Sequence, residues 1–164
     1  MRYDPKKHNR HSIRIAGYDY GRAGYYFVTF GTHQRRRWLA TIDGCEHRLT
    51  AAGAIVAGVW QSLAQHNSWI TLDAFIIMPD HVHGIVQIHP HAHDPQSERG
   101  SPARSLASLV QNFKSISSRR VHQAAPAIQR PLWHRNYYEH IIRADADLGR
   151  IRHYIAMNPA RWQQ

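Results

Sequence analysis

Two apolar runs, residues 70–78 and 81–88, are separated only by Pro79 and Asp80. Nothing else in the chain restricts its fold as tightly. A connection this short cannot cross over a sheet, because parallel partners need about a dozen linking residues, so the two runs can pair only antiparallel. The second run reads His-Val-His-Gly-Ile-Val-Gln-Ile. Successive side chains of a strand point to opposite faces, which puts His81 and His83 on one face, about 6.6 Å apart along the backbone. Val82, Gly84, Val86 and Ile88 form the other face and suit packing against helices. Two neutral imidazoles placed this way can converge on one cation. In a chain with 14 histidines a His-x-His pair is also what an ordinary half-exposed strand carries, so its meaning depends on its surroundings.

The rest of the chain supplies elements to complete such a sheet. Residues 25–30, aromatic and β-branched after Gly24, read as a strand. From 50 to about 65 the apolar residues Ile55, Val56, Val59, Trp60 and Leu63 recur at three and four, the stripe of a helix. A second helix is expected over about 104–122, with Leu106, Leu109, Val110, Phe113 and Ile116 inward and Lys114, Arg119 and Arg120 outside. Residues 137–143 read as a strand. Asp145 or Asp147 then opens a last helix that stops near Pro159, acidic residues being favoured at a helix start. The order strand, helix, strand, strand, helix, strand matches an α+β, ferredoxin-like βαββαβ antiparallel sheet with both helices on one face. His81 and His83 then face the open side, where the additional C-terminal helix is free to pack.

The chain has the length of a single domain, residues 1–164, which begins with a basic arm over about 1–15. Lys and Arg number 21 against 11 Asp and Glu, a net charge of +10, and such a surplus attracts polyanions by releasing counterions, with nucleic acid the default partner. A membrane is the competing polyanion surface, but no segment approaches the roughly 18 consecutive apolar residues of a spanning helix. The N-terminus has no apolar signal region. The single cysteine, Cys45, excludes an intramolecular disulfide and fits a reducing cytosol. Candidate phosphate contacts are Arg10 and Arg14 in the arm, Arg35, Arg36 and Arg37 after the first strand, and Lys114 on the second helix. For the arm the alternative is a solvated tail, and for the arginine triplet a solvated loop. His89, His91 and His93 alternate in a Pro-punctuated stretch that reads as a flexible loop rather than a metal site.

On the last helix Tyr154 and Asn158 stand four apart, which returns them to one face, flanked by Arg150, Arg152 and His153. A phenol and an amide therefore point the same way. Read alone, they are a packing aromatic and a helix-end residue before proline. Together with the histidine pair they resemble the REP-associated tyrosine transposases, a branch of the HUH single-tyrosine, IS200-like transposases and nucleases. The blocks that carry the resemblance are Arg10-His-Ser-Ile-Arg-Ile-Ala-Gly-Tyr-Asp-Tyr20, Tyr26-Phe-Val-Thr29, Met78-Pro-Asp-His-Val-His-Gly84, Trp133-His-Arg-Asn-Tyr-Tyr-Glu-His-Ile-Ile-Arg143 and Tyr154-Ile-Ala-Met-Asn-Pro159, in family order.

The resemblance implies His81, His83 and Asn158 as ligands of Mg²⁺ or Mn²⁺ and Tyr154 as nucleophile, with Arg150 and Arg152 beside it as DNA contacts. The activity it implies is metal-dependent cleavage and transfer of single-stranded DNA at or near a REP-like hairpin, through a 5′-phosphotyrosine. It further implies a bacterial, cytoplasmic, nucleoid-associated protein acting as monomer or homodimer. Family members often carry a tail beyond the asparagine–proline element, and this chain stops at Gln164. Two other readings stay open at this level: a hairpin DNA- or RNA-binding module of the same fold that does not cut, and a metal-dependent hydrolase using water.

Overall fold

The computed structural model describes residues 22–44, 46–90 and 104–162. The basic arm with Arg10 and Arg14, Cys45, and the stretch holding His91 and His93 lie outside the described residues. Six strands and three helices follow in the order β1 (Gly24–Gly31), β2 (Ala40–Asp43), β3 (Glu46–Leu49), α1 (Ala51–His66), β4 (Ile70–Ile77), β5 (His81–Ile88), α2 (Leu106–Ala124), β6 (Tyr138–Ile142) and α3 (Asp145–Met157). Short 3-10 turns occupy His33–Arg35 and Pro159–Arg161. The main sheet has the order β4-β5-β1-β6, and its three pairings are antiparallel, as a βαββαβ unit requires.

The period-two pattern of β5 sets the two layers. Val82, Val86 and Ile88, with Tyr26, Val28 and Phe30 of β1, pack against Val59, Trp60 and Leu63 of α1 and Leu109, Val110 and Phe113 of α2. Val82, Val86 and Phe113 are wholly buried, and full burial of one such side chain contributes about 1.5–3 kcal/mol. Both helices start where the sequence supplies an oxygen for a free amide. Thr50 accepts from the Gly53 N–H at 3.1 Å, and Ser105 and Ser108 form a reciprocal cap. On the opposite face α3 lays Leu148, Ile151 and Ile155 over Phe27, Ile85 and Ile142. The expected placement of α1 and α2 on one face and of the last helix on the other holds.

Two expectations need correction. The β2–β3 hairpin between β1 and α1 was missing from the expected order. Its strands are short, but Gly44, which follows the paired Asp43 with φ of 56°, is a turn signal in the sequence. Lys114, expected outside on α2, is turned inward. Its ammonium donates to the carbonyls of His134, Arg135 and Asn136 at 3.0, 3.4 and 3.0 Å and lies over the rings of Phe30 and Tyr137. Burial pushes its pKa down to about 8. With three carbonyls already on it, Lys114 is a brace for the segment before β6 and a poor ligand for phosphate.

Candidate active site

β5 and α3 bring the four predicted residues to one point on the open face. His81 and His83 are 7% and 5% exposed, and their Nε2 atoms stand 3.1 Å apart. Each ring is held from behind through Nδ1. His81 Nδ1 lies 2.5 Å from the Asp80 carboxylate, and His83 Nδ1 lies 2.8 Å from the Thr29 hydroxyl, its cross-strand partner on β1. If each Nδ1 carries the proton, donating to the carboxylate and to the hydroxyl oxygen, both Nε2 atoms present lone pairs to the same point. A neighbour that orients the imidazole in this way is characteristic of histidine metal ligands. Phe27 stacks on His83 with centroids 5.3 Å apart and fixes its plane.

The Asn158 amide is within hydrogen-bonding reach of His81, and the Tyr154 hydroxyl lies 3.4 Å from His83 Nε2. The helix runs from Asp145 to Met157 with Asn158 as its C-cap, so the four-residue spacing places phenol and amide one turn apart on the side facing β5. Tyr154 is 39% exposed, which leaves its hydroxyl open to a large substrate. Tyr137 packs in the core under α2, so among the tyrosines of that segment only Tyr138 shares the open face.

The donor set fits a divalent ion. Two imidazole nitrogens 3.1 Å apart are close enough to bind one ion together, and imidazole nitrogen with amide oxygen is a donor set that suits first-row divalent ions. Among the described residues no three His, Cys, Asp or Glu side chains cluster to hold a metal, and the side-chain oxygens beside the imidazole pair are those of Asn158 and Tyr154. Burial holds both imidazoles below their usual pKa. His83 falls to about 3, through burial first and then the charges of His81 and Arg35; His81 is lowered by burial against the opposing pull of Asp80. Both rings are therefore neutral, and able to act as ligands, at physiological pH.

The expected arginines have distinct places. The Arg35 guanidinium lies 3.1 Å from the far oxygen of Asp80, behind His81. Arg37 lies over the Trp162 ring at 5.6 Å, and that ring covers His81 at 5.9 Å. Arg36 faces outward beside Gln34 and Trp38. Arg150 binds Asp147, which also holds His140, and Arg152 makes a two-pronged bond to Asp73 at 2.9 and 2.6 Å. Arg152 thus ties α3 to β4 and is not a free cation for DNA. Asp73 reaches it because a bulge between Leu72 and Phe75 inserts an extra residue in β4. Of the loop histidines His89 lies among the described residues, at 2.7 Å from Thr71 and away from the pair.

Thr29, Asp80 and Trp162 were missed as members of the site. Asp80 directly before the histidine pair was the available signal. No local pattern marks the other two.

Residues 98–158, from before α2 to Asn158, match the family model of IS200-like transposases. That match includes Tyr154 and Asn158 and begins after the histidine pair. The whole chain is similar to an uncharacterised protein of Haemophilus influenzae, 28% identical over 173 residues covering 99% of this chain and 95% of the relative. A second protein of that organism, provisionally named a REP-associated tyrosine transposase, is 26% identical over 87% of this chain and 74% of its own length. Among solved structures, a REP-associated tyrosine transposase bound to a REP hairpin shares the fold at TM-score 0.63 and 18% identity, over 92% of this chain and 74% of that one. A transposase of provisional assignment from Deinococcus radiodurans does so at TM-score 0.54 and 21% identity, over 88% and 96%. Family model, relatives and fold point the same way as the sequence motifs: residues 98–158 match the IS200-like transposases, and over most of its length the chain is similar to a protein provisionally named a REP-associated tyrosine transposase.

Proposed function

We propose that this protein is a divalent-metal-dependent nuclease and strand transferase of single-stranded DNA, acting at or near REP-like hairpins through a 5′-phosphotyrosine on Tyr154. The observation that carries this reading is the convergence of two buried imidazoles held through Nδ1, the Asn158 amide and the Tyr154 hydroxyl on one open point of the sheet. The hairpin in the solved relative supports the substrate class. The net charge of +10 supports a polyanion.

A phenol with a pKa near 10 is ionised in about one molecule in a thousand at neutral pH, so the nucleophile needs assistance. His81, His83 and Asn158 would hold Mg²⁺ or Mn²⁺, which would supply Lewis acidity toward a phosphate oxygen. Tyr154 Oη attacks phosphorus and gives its proton to water; the bond from phosphorus to the 3′-oxygen breaks, and that oxygen takes up a proton. The products are a 5′-phosphotyrosine and a free 3′-hydroxyl, and the reverse attack rejoins the strand without ATP. Leu148, Ile151 and Ile155 seat α3 on the sheet, and the Arg152–Asp73 bond fixes its position, which holds the phenol beside the phosphate site. Arg36 and Arg37 at the rim, and Arg10 and Arg14 of the arm, are the proposed phosphate contacts.

The test is incubation with single-stranded hairpin DNA and Mn²⁺, followed by a denaturing gel. A protein-linked strand is expected, lost in Tyr154→Phe and under excess chelator. Strand scission with no linked species would favour the water-using hydrolase, and an adduct that survives Tyr154→Phe but not Tyr138→Phe would move the nucleophile.

A further inference from the structure

A cavity of about 380 Å³ opens beside the imidazole pair, between the end of β1, the turn at His33–Arg35 and the segment leading into β6. Resting on the function proposed above, we infer that it is a subsite for a single unpaired nucleotide next to the cleaved phosphate, with the base stacked on Tyr138 and its edge read by Asn136 and Gln34. The volume falls within the range of about 300–1,000 Å³ typical of small-ligand sites.

The cavity shares walls with the catalytic point. Thr29, which holds His83 at 2.8 Å, and Arg35, which holds Asp80 at 3.1 Å, both line it. An occupant is thus one side chain, Thr29, from His83 and two, Arg35 and Asp80, from His81. Among the described residues Arg35 lines it and no carboxylate does, which suits a phosphate-bearing ligand. Tyr138 is 54% exposed with its ring edge against Phe27, so a broad aromatic surface faces solvent on the side where His83 and Tyr154 gather. Amides such as those of Asn136 and Gln34 carry donor and acceptor together, the pairing that reads a base edge.

Two features show that the walls are preset. Gln34 and Arg35 lie consecutively in the left-handed region, with φ of 55° and 56°, a conformation that costs non-glycine residues about 1–3 kcal/mol each and tends to persist at functional sites. The buried Thr32 hydroxyl holds this turn by donating within reach of the Arg36 and Asp80 carbonyls, at 2.7 and 3.0 Å. On the far wall, the Lys114 ammonium gathers the carbonyls of His134, Arg135 and Asn136.

The experiment measures equilibrium binding of hairpin oligonucleotides with mixed-sequence single-stranded flanks to Tyr154→Phe protein, with one abasic site walked through every flank position. One position should stand out, where loss of the base weakens binding by roughly 5- to 150-fold, the worth of one base–aromatic stack. Tyr138→Ala should weaken binding of the intact oligonucleotide by a similar factor and add nothing when that position is already abasic. Tyr138→Phe should retain the affinity, and Asn136→Ala, at an exposed position, should alter base preference there alone. Equal losses on all abasic oligonucleotides, or unaltered affinity in both Tyr138→Ala and Asn136→Ala, would overturn the subsite. If wild type forms the covalent adduct and these variants show no position-specific effect, the subsite fails alone. A position-specific effect with no adduct in wild type keeps the subsite and rejects the cleavage reaction, and absence of any oligonucleotide binding rejects both.

Discussion

Replacing Gly84 by alanine should lower stability by about 2 kcal/mol, and the loss should depend on Trp60. A Cβ at Gly84 would stand 2.5 and 2.6 Å from Trp60 Cζ2 and Cη2, where carbon atoms ordinarily rest at about 3.5–4.0 Å. About 1 Å of movement is therefore required. Gly84 cannot supply it, since its strand is paired on both sides, to Val28 and to Phe75. Trp60 is 2% exposed, stacked on Phe75 at 4.8 Å with 9° between planes and set edge-on to Phe113 at 5.5 Å, and the packing around it toward α2 has no room for a water molecule. Overpacking of this kind costs about 1–3 kcal/mol, and the tightness here argues for the upper end. Against it, alanine restricts the unfolded chain by about 0.4–1 kcal/mol where the backbone is compatible, leaving a net loss of about 2 kcal/mol. For a chain of this size that is roughly 4–8 °C in Tm. Urea unfolding followed by circular dichroism reads the loss, and the same substitution in a Trp60→Leu background should be neutral or stabilising. An equal loss in both backgrounds, or less than about 0.5 kcal/mol in the native background, would refute the steric argument.

Titration calorimetry of Mn²⁺ into Tyr154→Phe protein should lose its signal in His81→Ala and in His83→Ala, and fall less in Asn158→Ala because an amide is the weaker donor. Asp80→Ala should weaken binding about 10- to 100-fold by freeing the His81 ring, and unchanged affinity in His81→Ala would sink the metal assignment. In metal-free protein, burial keeps His83 neutral down to about pH 3 while the unfolded chain takes up its proton near the usual 6.5. The unfolded state then binds more protons across that window, so stability is full above pH 6.5 and falls with decreasing pH, by about 2 kcal/mol between 6.5 and 5. His83→Gln should flatten that fall in a urea series with chelator present; an identical slope would show that the ring does not carry it. Asp73→Ala and Arg152→Ala should leave Tm nearly unchanged yet slow adduct formation several-fold, with recovery in the swapped pair Asp73→Arg, Arg152→Asp. Full-rate adduct formation in both single variants would show that α3 needs no tether.

Local periodicity, read from the sequence alone, determined most of the scaffold and the sides of the sheet. The alternation in His81–Ile88 put the imidazoles opposite the valines, the three- and four-residue spacing of Val56, Val59, Trp60 and Leu63 marked the buried stripe of α1, and the four-residue step from Tyr154 to Asn158 set phenol and amide on one side of α3. These are properties of one element at a time, so a short window contains them. Tertiary structure alone decided the partners. Thr29 meets His83 across 54 positions, through the register of β1 on β5. Arg152 meets Asp73 across 79 because of the bulge in β4, and Lys114 turns inward because three carbonyls of the next segment converge on it. A cation looks the same in sequence whether it grips phosphate or a neighbour. Its partner is chosen by register, bulges and the packing of α3 on the sheet, all of which come into being only when distant segments meet.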